Sequence, residues 1–159
     1  MTGASEAEEP VIYVDADACP VKDEVVRVAD RHGLRVVLVS NQWMRGPEHP
    51  LILRIVVPSG IDAADERIAS EAGAGDIVVT ADIPLAKRCL DKGARALGPT
   101  GKPFTEASIG MALAMRDLTA HLRDVGGYAG GPSPFTRQDR SRFLSALEEI
   151  VQAIWRERR

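Results

Sequence analysis

Five short aliphatic runs, alternating with stretches whose apolar residues recur at helical spacing, leave this chain few folds to choose from. The runs are residues 11–14, 34–40, 53–57, 77–81 and 94–97. The first is short, apolar throughout and ends in Asp15, which reads as a strand buried on both faces in a parallel sheet. Pro20 then stands where a first helical turn would begin. Val21, Val25, Val28 and Ala29 make an apolar stripe, and Gly33 is a stop signal. Gly46, Pro47 and Pro50 make residues 41–50 a loop. A helix is expected from about Ile61 to Ala72, with Gly73 beyond it, and another from Pro84 to near Gly93. Strands alternating with helices of this length predict an α/β domain with a mainly parallel sheet.

The last third is different. Residues 105–125 read as one long helix, with Ile109, Leu113 and Leu122 among its apolar positions. Residues 126–134 hold four glycines and two prolines and are expected to be a flexible or tightly turned loop. Thr136-Arg-Gln-Asp139 has the form of a capping box and leads into an amphipathic helix carrying Phe143, Leu147, Ile150 and Ile154. No internal repeat occurs, and these helices need the sheet to bury their apolar faces. Residues 11–155 are therefore expected to form one domain. The acidic, polar residues 1–10 are expected to be a disordered lead-in and carry no secretory signal pattern.

Hydrophobic residues make up 45% of the 159, enough to fill one core, but aromatics only 4%, so the core must rest on Val, Ile, Leu and Ala. No apolar run approaches the roughly 20 residues that span a bilayer, so no membrane association is expected. Cys19 and Cys89 form no CxxC pair and no disulfide framework, which suits a reducing cytoplasm. Residues 1–82 carry 15 acidic and 7 basic side chains, and residues 83–159 carry 8 and 13. An acidic half beside a basic half suits a phosphate-bearing substrate, although charges also serve simply to solvate surface helices.

The acidic half concentrates its carboxylates at the ends of elements. Asp15 and Asp17 follow the first strand, Asp62 and Asp65 begin the helix after the third, and Asp82 follows the fourth. Ligands of open parallel sheets bind outside the strands' carboxyl ends, so all these residues are expected on one functional edge. Each alone has a plainer reading. Asp62 and Asp65 suit a helix first turn, and Asp82 before Ile83-Pro84 suits an N-cap. Asp15 and Asp17, however, cannot both cap the helix that follows. Like charges gathered at one place repel unless a cation neutralises them, so the set predicts a divalent metal site.

A strand ending in Asp-x-Asp resembles two families. One is the haloacid-dehalogenase type of phosphotransferase, with Asp15 as nucleophile and Asp17 as general acid. Residues 36–41 resemble its second motif. Cys19 stands where that family has Thr or Val, and Asp76 precedes a strand where its later acidic motif should follow one. The other is the PIN-like nuclease type, matched in order by Asp15, by Asp62 with Asp65, and by Thr80-Ala-Asp82.

At finer grain the chain resembles the bacterial YaiI/YqxD family, a PIN-like group. The likeness rests on Tyr-Val-Asp-Ala-Asp-Ala-Cys-Pro20, Gly60-Ile-Asp-Ala-Ala-Asp65, Gly75-Asp-Ile-Val-Val-Thr-Ala-Asp-Ile-Pro-Leu-Ala86 and Gly131-Pro-Ser-Pro-Phe-Thr-Arg-Gln-Asp-Arg140. The resemblance implies a Mg²⁺- or Mn²⁺-dependent hydrolase of RNA or another phosphodiester. Asp15, Asp62, Asp65 and Asp82 would hold the metal, Asp17 would ligate or support it, and Thr80 would orient Asp82 or water. Lys22 and Arg140 are the expected phosphate contacts, with Lys102 and Arg137 as further cations. A phosphatase and a non-catalytic module binding nucleic acid or a protein partner are the alternatives. Many PIN nucleases add an acidic residue in the region that here reads 97–104, where Thr100 is the only weak ligand. Residues 98–103 lack the Walker spacing. His32, His49 and His121 form no metal-spaced pair. Cys19 is a candidate thiolate or a packing residue. Residues 126–131 are a candidate substrate-covering loop or a plain connection.

Overall fold

Branched aliphatic side chains favour the pleated sheet over the helix, and all five runs form strands. The computed structural model describes residues 9–17, 19–58, 60, 62–124 and 134–158, side chains excepted at 116 and 119–124. Its strands are β1 (Val11–Asp15), β2 (Arg35–Ser40), β3 (Ile52–Val56), β4 (Ile77–Val79) and β5 (Arg95–Leu97). They lie parallel in one sheet of order β3-β2-β1-β4-β5. The helices are α1 (Lys22–His32), α2 (Ala63–Glu71), α3 (Ile83–Asp91), α4 (Glu106–Asp124) and α5 (Arg137–Glu157). The result is an α/β fold with helices on both faces of the sheet, consistent with a PIN-like architecture.

The pleat divides β1, β2 and β4 between two cores. Ile12, Val14, Val36, Leu38, Ile77 and Val79 face α1 and α5, where Val25, Val28, Phe143, Leu147 and Val151 complete the cluster. Tyr13, Val37, Val39 and Val78 face α2 and α3, against Ile68, Leu85 and Cys89. Burial on both sides explains why β1, β2 and β4 read as continuous apolar runs, whereas the edge strand β3 leaves Leu53 and Val56 exposed. Each fully buried Val, Leu, Ile or Phe contributes roughly 1.5–3 kcal/mol.

Several expected boundaries move. The first helix starts at Lys22, with Val21 at its cap position, and Pro20 lies in the turn before it. The second starts at Ala63, which leaves Asp62 at the cap position. The fourth strand ends at Val79 rather than 81. The capping box forms as expected: Thr136 Oγ1 accepts from the Asp139 N–H at 3.0 Å, and Asp139 Oδ2 accepts from the Thr136 N–H at 2.9 Å.

Helix α4 departs from expectation more deeply. Ile109 packs with Ala86 and Ala96, but Leu113 is 36% exposed, and Met111, Met115 and Leu118 are exposed at 70%, 54% and 49%. The helix packs on α3, and this part of its apolar face is not covered by the sheet. The Leu122 side chain, residues 126–131 and the lead-in up to residue 8 lie outside the described residues. Among the described residues no helix is long and apolar enough to cross a membrane.

Candidate functional site

From β1 the chain winds through β2 to β3 on one side, then returns to β4 and β5 on the other. Strand connections therefore diverge between β1 and β4, and such a divergence opens a crevice at the carboxyl edge. Asp15 is the last residue of β1, and Val14 is paired with Val79, the last of β4. This register brings Thr80 beside Asp15.

Thr80 is 2% exposed. Its hydroxyl donates to Asp15 Oδ2 at 3.0 Å and accepts from the Asp82 N–H at 2.9 Å. One buried side chain thus fixes the carboxylate of one strand and the backbone that presents the carboxylate of the next. Asp82 Oδ1 accepts from the Leu85 N–H at 2.8 Å, so Asp82 does cap α3. Capping accounts for that oxygen alone. Asp62, at the cap position of α2, makes no capping bond.

The carboxylates also act on one another through their charges. Burial first, then the charges of Asp82, Asp15 and Asp62, push the Asp65 carboxyl up to about 6, with Arg88 opposing them. Burial also raises Asp15, against the hydrogen bond from Thr80, and Asp17 and Asp82 add to the rise. No hydrogen bond contributes to the shift at Asp65. The carboxylates of β1, the β4 end and the α2 start therefore share one electrostatic environment. A closed cage is not preformed: among the described residues no group of three or more His, Cys, Asp or Glu side chains is arranged to hold a metal ion. One oxygen of Asp82 is engaged by the α3 cap, and Asp62 is exposed.

The remaining candidates take other roles. Asp17 Oδ2 accepts from the Asn41 N–H at 3.0 Å, tying the loop after β1 to the end of β2. Lys22 donates to the Cys19 carbonyl at 2.7 Å. Arg140 donates to the Pro20 carbonyl at 2.7 Å and to Glu24 Oε1 at 3.3 Å, and lies over the Phe135 ring. It docks α5 onto the start of α1, and neither cation is among the groups that shift Asp15 or Asp65. Cys19 packs against the core, and burial raises its thiol, which favours the packing role. His32 meets Glu148 and His49 meets Asp30, each at 2.8 Å, far from the carboxylates in sequence and in bonding. The His121 side chain lies outside the described residues. Asp76 sits at the amino edge, accepting from Val11 N–H (3.1 Å) and Gly73 N–H (2.9 Å).

Sequence reasoning missed three features. Arg88 pairs with both oxygens of Glu66 (2.7 and 3.3 Å) and acts on Asp65. Asn41 Oδ1 is buried with no partner among the described residues. Two cavities open at the carboxyl edge. One, of about 300 Å³, is lined by Ala81, Asp82, Ile83 and Pro84. The other, of about 370 Å³, shares Ala81 and Ile83 and is also lined by Thr100, Lys102 and Phe104. Thr100 thus faces a cavity. The turn-rich string 98–103 was the only signal of this wall.

Comparison with known proteins shows the family of the chain. Residues 13–153 match the family described as "Uncharacterized BCR, YaiI/YqxD family". A UPF0178 protein of Parvibaculum lavamentivorans is 63% identical over 145 residues, 91% of this chain and 95% of that protein. One from Rhodopseudomonas palustris is 59% identical over 147 residues, covering 92% and 93%. One from Paramagnetospirillum magneticum is 60% identical over 140 residues, covering 88% and 93%. The chain belongs to the YaiI/YqxD family.

Proposed function

We propose that this protein is a divalent-cation-dependent hydrolase of phosphodiesters, with single-stranded RNA as its substrate. The observation that carries this reading is the convergence of Asp15 and Asp82 on the buried Thr80 hydroxyl at the β1/β4 divergence, beside Asp65, which burial first and then the charges of Asp82 and Asp15 raise to about 6. Carboxylates supply hard oxygen donors, and their repulsion is what a hard dication offsets. Asp15, Asp65 and the oxygen of Asp82 not used in capping would hold Mg²⁺ or Mn²⁺, with Asp62 at the rim. Neither a capping bond at Asp62 nor a hydrogen bond shifting Asp65 restrains these side chains, so closing around an ion breaks no bond there. When bound, the ion supplies Lewis acidity and positive charge beside the scissile phosphate.

The chain's own groups do the rest. Thr80 keeps Asp15 and the Asp82 backbone in fixed relation. Asp65, raised while the site holds no cation, would give up its proton as the cation binds. Asp17 supports the site by holding the loop after β1 to Asn41. The basic second half of the chain favours a polyanion, and Lys22 and Arg140 remain proposed phosphate contacts. Asp76, committed to two backbone N–H groups at the opposite edge, is out of place for the phosphatase alternative.

The test is cleavage of a fluorophore-quencher single-stranded RNA with millimolar Mn²⁺. Wild type cleaves, and Asp15→Asn from the same purification does not. Equal cleavage by both preparations contradicts the reading. RNA binding without cleavage supports the non-catalytic module instead.

A further inference from the structure

The larger cavity at the carboxyl edge has the attributes of a preformed recognition site. Its volume of about 370 Å³ falls at the small end of the roughly 300–1,000 Å³ typical of small-ligand pockets, room for one flat ring system and its sugar. Ala81 and Ile83, the neighbours of Asp82 on either side, form one wall. Phe104, Thr100 and Lys102 come from the loop between β5 and α4. Ser108 and Ala112 of α4 line it too.

That loop is held rigidly. Gly98 N–H donates to the Lys102 carbonyl and Gly101 N–H to the Gly98 carbonyl, both at 3.0 Å, and Phe104 N–H donates to Ala96 at 2.9 Å. Gly101 has φ +90°, and a Cβ there would come within 2.7 Å of the Arg142 backbone, so the loop tip is pressed against α5. Phe104 packs against Ala86, Ala96 and Ile109 on the core side. An aromatic ring anchored in this way lines the cavity without having to be ordered on binding.

We propose that this cavity is a nucleobase subsite. One base of the single-stranded RNA stacks on Phe104, and Lys102 meets a neighbouring phosphate, which sets the scissile bond against Asp82. This deepens the reading of the carboxylate edge as a phosphodiester site and rests on it for the placement of the scissile bond. Base–aromatic stacking tolerates any base, so the subsite selects unpaired strands rather than a sequence.

The experiment is fluorescence anisotropy of a fluorescein-labelled RNA pentamer in millimolar Ca²⁺, with cleavage read separately in Mn²⁺. Phe104→Ala is expected to weaken binding roughly tenfold, and Phe104→Trp to keep it, its indole fluorescence quenched by bound RNA. Ala112→Trp, which fills the cavity and leaves Phe104 itself unchanged, is expected to weaken binding even if Phe104→Ala fails to fold. Lys102→Gln is expected to lower the salt slope by roughly one. Wild-type affinity in both Phe104→Ala and Ala112→Trp overturns the subsite, and with cleavage intact the hydrolase reading survives it. Phe104-dependent binding with no cleavage in any preparation supports the subsite and overturns the hydrolase. No RNA binding by wild type overturns the subsite.

Discussion

Asp76 and Asp65 are the same residue type at opposite edges of one sheet, in opposite circumstances. Asp76, at the amino edge, accepts two backbone N–H groups that bind the start of β1 and the turn before β4. Asp65, at the carboxyl edge, has burial and three neighbouring carboxylates acting on it, no hydrogen bond contributing, and Arg88 as its counterweight. The first carboxylate is spent on the fold, and the second is held away from its ordinary state. The two differ in which groups surround them, not in how many acids the sequence brings near.

The largest expected difference between the edges is in activity. Asp15→Asn should lower Mn²⁺-dependent RNA cleavage at least about a hundredfold, the scale of losing a group that acts in the transition state. Asp76→Ala should leave the cleavage rate of the folded protein unchanged. Steady-state kinetics at a temperature where both variants are folded decides this. A loss of rate in Asp76→Ala equal to that in Asp15→Asn would erase the distinction.

Stability should run the other way. Asp76→Ala strips acceptors from two backbone donors and is expected to cost about 2 kcal/mol, a fall of roughly 4–8 °C in melting temperature. Asp65→Asn removes a repelled charge, and without metal near pH 7.5 it should raise the melting temperature by up to about 3 °C, the scale of a screened charge interaction. Thermal melts of the three proteins in chelator test the pair together.

The pH dependence sharpens the same contrast. Asp65 is raised from 3.8 to about 6, so the folded state binds the proton more tightly than the unfolded chain. Its contribution is fully present below about 3.8 and is lost as pH rises through about 6. In chelator, wild type should therefore lose stability relative to Asp65→Asn between pH 4 and 7. Parallel stability curves for the two would show that Asp65 is not perturbed.

Much of the fold was legible because it is local. The strands announce themselves through aliphatic runs, and Thr136 with Asp139 announces the start of α5. The placement of Asp15, Asp62, Asp65 and Asp82 at element ends was legible too, since parallel strands force successive carboxyl ends onto one edge. What could not be read depends on neighbours distant in sequence. The order β3-β2-β1-β4-β5, which makes the β1/β4 divergence the crevice, is set by packing. Arg88 reaches Asp65 only because α3 lies against α2. That Arg140 also reaches Pro20 and Glu24 depends on α5 meeting α1, far away in sequence. Leu113 carries the helical period of a core residue, yet α4 extends where no sheet covers it. The Phe104 wall was illegible because its ring is fixed by Ala96, Gly98 and Ile109 together.

Whether the carboxyl-edge carboxylates share a divalent cation is tested, without reference to any substrate, by direct Mn²⁺ titration followed by electron paramagnetic resonance. One saturable site is expected in wild type, kept in Asp76→Ala and abolished in the double variant Asp15→Asn, Asp82→Asn. Melting temperature should rise with Mn²⁺ in wild type and not in the same double variant. Saturable binding that survives the double substitution, or no saturable binding by the wild-type protein, would contradict a shared cation.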